Sequence, residues 1–251
     1  MADFNTMRDS RATTRSPAID AGLRDYMNRV YALMSIGMLI TGAGAWIISS
    51  MAVTTTPEGP RQLTELGRLL YGSPLKWVLM FAPLAIVFAF GAAINRLSAS
   101  AAQGIFFLFS ALMGVSLGSI FLIYTPFSIV QTFLVTAIAF AGLSLYGYTT
   151  KRDMSGMGTF LMMGLIGLIV AMIVNLFLQS GAMGFAISAI GVLLFAALTA
   201  YDTQRIKQTY LDLAASDRDF LAKGAIMGAL TLYLDFLNMF QFLLAFMGQR
   251  E

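Results

Sequence analysis

Runs of apolar residues alternate with short polar breaks along almost the whole chain, and the runs have the length of membrane spans. Seven can be placed, at about 28–52, 76–95, 103–124, 127–148, 158–178, 183–203 and 224–247, each long enough as a helix to cross a hydrocarbon layer of roughly 30 Å. The breaks fall into two kinds. Tyr124-Thr125-Pro126 and Gln179-Ser180-Gly181-Ala182 are tight hairpin turns, whereas the 53–75 connection, with Pro57, Gly59, Pro60, Gly72 and Pro74, is long. Residues 1–25 are polar and lack the apolar core of a secretory signal, so they read as a disordered cytoplasmic tail ending in a short amphipathic lead-in. The chain thus divides into that tail and a seven-helix transmembrane domain at 26–251.

The last apolar run, Gly224–Gly248, contains a carboxylate near its middle, Asp235. An uncompensated Asp at a helix centre opposes membrane insertion by about 2.5–3.5 kcal/mol, so it needs a partner or a cavity. At 100° per residue Gly224, Gly228, Thr231, Asp235 and Asn238 share an arc of roughly 80°. That small, polar stripe suits a helix at the centre of a bundle, its glycines against neighbours and its carboxylate inward. The sixth run repeats the pattern, with Gly184, Ser188, Gly191, Thr199 and Asp202 on one face. Two carboxylates within about 4 Å of each other resist double ionisation and share a proton. The same pair is a site for a hard, oxygen-seeking cation such as Ca2+. Water or Arg205, at i+3, is the plainer partner for Asp202. Arg96, at the end of the second run, is a candidate latch for the pair through a charge-assisted hydrogen bond.

Composition agrees with the spans: 58% of residues are hydrophobic, 12% are charged, and the mean hydropathy is +0.75. Soluble domains carry about 25% charged residues. The chain has no Cys and no His, which removes disulfides, thiolate nucleophiles, Cys/His zinc sites, His-ligated haem and His-based triads. The net charge of +3 is better read as membrane orientation than as affinity for nucleic acid. Of 16 Lys and Arg residues, 12 fall in the N-terminal tail and the breaks at 96–102, 149–157 and 204–223. The positive-inside rule therefore places the N-terminus in the cytoplasm and the C-terminus outside.

Two motifs, YDTQRIK at 201–207 and GALTLYLDFLNMFQFLLAFMG at 228–248, resemble the Bax inhibitor-1 (transmembrane Bax-inhibitor-motif) family of membrane proteins. The opening LRDYMNRVYALMSIGMLITG at 23–42 is similar to its bacterial members. The resemblance implies an all-α bundle of seven transmembrane helices around a central seventh, in the bacterial inner membrane. It also implies a non-enzymatic, pH-sensitive Ca2+ leak without a cofactor, whose partners are Ca2+, protons and the bilayer. The proton-sensing pair maps to Asp202 and Asp235, the interacting arginine to Arg96, and Thr231 and Asn238 supply nearby polar atoms. A non-transporting regulator of a membrane protease or stress response is the alternative it allows. An intramembrane aspartyl protease is a weaker one. Tyr201-Asp202 and Asp235 imitate its pair, but Leu232-Tyr233-Leu234 stands where Gly-x-Gly precedes the second Asp, and no Pro-Ala-Leu follows. Gly114-Val115-Ser116-Leu117-Gly118 matches the nucleophile-elbow pattern of serine hydrolases, but inside a spanning helix and without His it is expected to serve helix packing.

Overall fold

The computed structural model describes residues 17–54, 62–213 and 217–250. Among the described residues seven helices are long and apolar enough to cross a membrane: α1 Pro17–Ala52, α2 Leu75–Ala93, α3 Ala99–Leu117, α4 Pro126–Thr149, α5 Met157–Leu178, α6 Gly181–Leu213 and α7 Arg218–Met247. Their starts follow local chemistry. The Ser98 hydroxyl accepts the Ala101 N–H at the head of α3, and Thr125 accepts the Ser128 N–H with Pro126 in the first turn of α4. Between α5 and α6, Gln179 takes a left-handed conformation (φ 51°) that closes the tight turn. The third apolar run is interrupted after Gly118 and resumes as a short turn, Ile120–Ile123.

Two expectations need correction. The polar lead-in is not a tail up to residue 25, because α1 already begins at Pro17 and buries Leu23, Tyr26, Met27 and Val30 on one side. Residues 1–16 lie outside the described residues. The stretch 204–223 is not a loop either: α6 runs on to Leu213, burying Ile206 and Tyr210, and α7 starts at Arg218. Hydropathy marks the thickness of the bilayer, whereas a helix continues for as long as one of its faces finds a neighbour.

Helix α7 is the core, with the largest buried share of the seven. It is surrounded by α6, α1, α4 and α3, while α2 leans on α3 and α5 leans on α6. Helices α2 and α5 are the least buried and line the outside of the bundle. In the 53–75 connection β1 (Val53–Thr54) pairs antiparallel with β2 (Gln62–Leu63). At the same end of the bundle the Thr125 N–H donates to Gln249 O (3.1 Å), the Gln249 N–H donates to Ser128 Oγ (2.9 Å), and Arg250 lies over the Tyr124 ring. These contacts hold the end of the chain on the α3–α4 turn.

Candidate functional site

The pairing of α6 with α7 builds the site, and its register is set by residues without bulk. Leu213 packs against Gly224, where an added Cβ would stand 3.6 Å from Leu213 Cδ1. Asp202 and Asp235 each lie 11 residues from that contact on antiparallel helices, so both advance about 16 Å and arrive level. Above and below them a glycine of one helix receives a side chain of the other. A Cβ on Gly228 would meet Ile206 at 3.1 Å, and one on Gly191 would enter the Phe242 ring at 2.6 Å. On the far side of α6, Gly147 of α4 rests on the Ala200 carbonyl, leaving no room for a methyl group.

The two carboxyl groups lie within hydrogen-bonding reach of each other, and both residues are buried, at 8% exposure for Asp202 and 5% for Asp235. Asp235 Oδ2 is buried and, among the described residues, has no N–H or O–H donor to satisfy it. A buried acceptor without a donor is costly, so this atom calls for a proton shared with Asp202, or for a water or cation from outside. The space to supply one is present. Both carboxylates line a cavity of about 1060 Å³ together with Thr231, Asn238, Tyr201 and Arg205. Thr231 donates its hydroxyl proton to Met227 O (3.0 Å) and Asn238 donates an amide N–H to Leu234 O (2.8 Å). With those donors committed to the helix's own carbonyls, each keeps a side-chain oxygen free to accept. Among the described residues no group of three or more acidic, His or Cys side chains is placed to hold a metal.

The structure does not bring Arg96 to the pair. It ends the 3-10 turn Ile94–Arg96 that closes α2 and is exposed, because α2 lies on the outside of the bundle against α3. Arg205, the plainer partner expected for Asp202, makes no salt bridge with it among the described residues. Its charge acts on Asp202 from one turn along the same helix. Gln241, which lies outside the stripe drawn from the sequence, extends the polar face of α7 by one more turn along the cavity. Its spacing of i+3 from Asn238 was the available signal.

The YDTQRIK stretch does more than supply Asp202. Tyr201 rests its hydroxyl against Gly158, at the first turn of α5. The Gln204 side chain accepts the Met154 N–H and donates to Arg152 O, both at 2.8 Å, so it clamps the α4–α5 loop. Lys207 Nζ donates to Tyr148 O (2.6 Å) at the end of α4, where a cation suits the free carbonyls. On the opposite face of α7 the Tyr233 hydroxyl meets Thr41 Oγ1 at 2.6 Å. Thr41 has one proton, with Ser110 O (2.8 Å) and Gly37 O (3.0 Å) as its acceptors, so Tyr233 is the donor. Phe106 and Phe109 close over its ring edge-on.

The comparison with known proteins decides what this arrangement belongs to. Residues 23–251 match the family described as inhibitor of apoptosis-promoting Bax1. The chain belongs to the Bax inhibitor-1 family. As a family member it is 44% identical to the inner membrane protein YbhL of Escherichia coli K12, over 92% of this chain and 94% of that one. It is 46% identical to an uncharacterized protein of Caulobacter vibrioides, over 99% and 98% of the two chains. An uncharacterized protein of Deinococcus radiodurans is 36% identical over 96% of each. This Bax inhibitor-1 family protein is therefore an all-helical, multi-pass membrane protein. The Gly-x-Ser-x-Gly match serves packing, as expected: Gly114 sits against the Thr41 carbonyl and Gly118 against the Tyr71 hydroxyl.

Proposed function

We propose that this protein is a passive, pH-sensitive calcium leak of the bacterial inner membrane, gated by proton sharing between Asp202 and Asp235. The observation that carries the reading is the meeting of two buried carboxyl groups, one with an unsatisfied oxygen, on the wall of a membrane-embedded cavity. Two carboxyl groups at that separation sit together comfortably only with a proton between them. Losing the proton leaves negative charge and bare oxygens where a cation can stand. With the Thr231 and Asn238 oxygens the site offers six protein oxygens only if both carboxylates bind through both of theirs, the bottom of the six to eight that Ca2+ takes in a tight site. A sparse, weak site suits passage and not storage. Arg205, not Arg96, is the cation we assign to the gate. The inner-membrane location rests on the relative of that name.

The test is Ca2+ entry into liposomes containing only this protein, across pH 5 to 8. The expected result is a flux that changes with pH in the wild type and becomes flat in Asp235→Asn. An unchanged pH response in that variant overturns the proton switch. Absence of flux at every pH overturns the leak and favours a non-transporting regulator.

A further inference from the structure

The cavity has more wall than the carboxylate pair uses. It follows α7 from Thr231 to Phe242, about 17 Å at 1.5 Å per residue, which is more than half the depth of a bilayer's hydrocarbon core. Its floor is the polar stripe of α7. Its two sides are α2 and α5, the least buried helices, which rest on α3 and α6. Between them Leu84 and Val87 of α2 and Met162, Leu165 and Ile169 of α5 face the same space. The result is a long, apolar-sided slot at membrane depth.

One rim has a distinct chemistry. Where α2 begins, Lys76 and Trp77 both line the cavity and both are exposed, with Lys76 Nζ 5.4 Å from the centre of the Trp77 ring. Among the described residues no carboxylate pairs with Lys76. Trp at the end of a span is the side chain that settles at the lipid–water boundary, and Lys reaches from that level toward head groups.

We infer that this slot holds an acyl chain of a bilayer phospholipid, with the anionic head group of that lipid at Lys76. The α2 and α5 walls are apolar and give water no partners, so a lipid tail is the solvent that fills the space along them, while the polar floor of α7 stays with water or a cation. The unpaired ammonium group at the rim selects a negative head group over a zwitterionic one. The assignment rests on the slot and its rim and not on the calcium reading.

Tryptophan quenching tests it, because Trp46 and Trp77 are the two Trp residues of the chain. Trp46→Phe leaves Trp77 as the reporter at the rim. In phosphatidylcholine vesicles, a small fraction of chain-brominated phosphatidylglycerol is expected to quench Trp77 as if enriched about fivefold, the worth of one basic residue toward an anionic lipid. Brominated phosphatidylcholine at the same fraction is expected to quench it only as the bulk does. Lys76→Gln should remove the excess. Trp77→Phe, which reports from Trp46 on the exposed side of α1, should show none. In a chain with both Trp replaced by Phe, Val87→Trp should again be quenched in excess by mid-chain bromines of the anionic lipid. Equal quenching of Trp77 by the two lipids, or an excess that survives Lys76→Gln, overturns the inference. An excess at the rim without one at Val87 overturns the chain in the slot.

Discussion

Tyr233 and Asp235 stand two residues apart on α7 and live in opposite environments. Tyr233 is fully buried, with its hydroxyl donated to Thr41 and its ring edge-packed by Phe106 and Phe109. Asp235 is nearly as buried, yet one of its oxygens has no donor and it faces a cavity. Burial alone does not separate the two; satisfaction does. The Tyr233 face is finished and holds α7 to α1 and α3, whereas the Asp235 face is left incomplete on the protein side. A polar group that the fold surrounds but does not satisfy is the one available to a proton, an ion or a ligand.

The contrast can be broken from either side. The largest effect is expected from Asp235→Asn, which should abolish the pH dependence of Ca2+ flux in liposomes while the helical circular dichroism stays as in the wild type. Next is Gly147→Ala, whose methyl group has only the Ala200 carbonyl to meet. Backbone cannot rotate away as a side chain does, so the thermal unfolding of the detergent-solubilised protein should show a loss of about 1–3 kcal/mol. Tyr233→Phe removes one satisfied hydrogen bond and should destabilise by about 1 kcal/mol, with the pH response intact. A lost pH response in that variant would mean the two faces are not independent. Smallest is Gln204→Leu. It should leave the fold's stability nearly unchanged and raise amide hydrogen exchange at Met154, whose N–H loses its acceptor.

Both faces were legible in the sequence to different degrees. The stripe Gly224, Gly228, Thr231, Asp235 and Asn238 gave the inward side of α7 from periodicity alone, and the structure places that stripe against α6 and the cavity. The seven spans follow from hydropathy because backbone polar groups in lipid have to be satisfied within a helix. Hydropathy is silent outside the bilayer, so the start of α1 at Pro17, the end of α6 at Leu213 and the start of α7 at Arg218 were beyond it. The placement of Arg96 failed for a different reason. Two residues at similar depth need not face the same way or lie on neighbouring helices, and α2 sits on the outer side of the bundle. Arg205 was visible as an i+3 neighbour of Asp202. Gln204 and Lys207 carried no sign that they reach the α4–α5 connection and the end of α4, because their partners are backbone atoms about 50 to 60 residues away, and main-chain partners leave no trace in a sequence.

Gln204 holds the α4–α5 loop and Lys207 the end of α4, and together they tie that connection to α6. Both belong to the same continuous helix as Asp202, and within the next two turns after it. Arg152 and Met154 are therefore tied to a rigid rod that carries an acid group buried against the central helix. The loop and the carboxyl group are thus two ends of one rod.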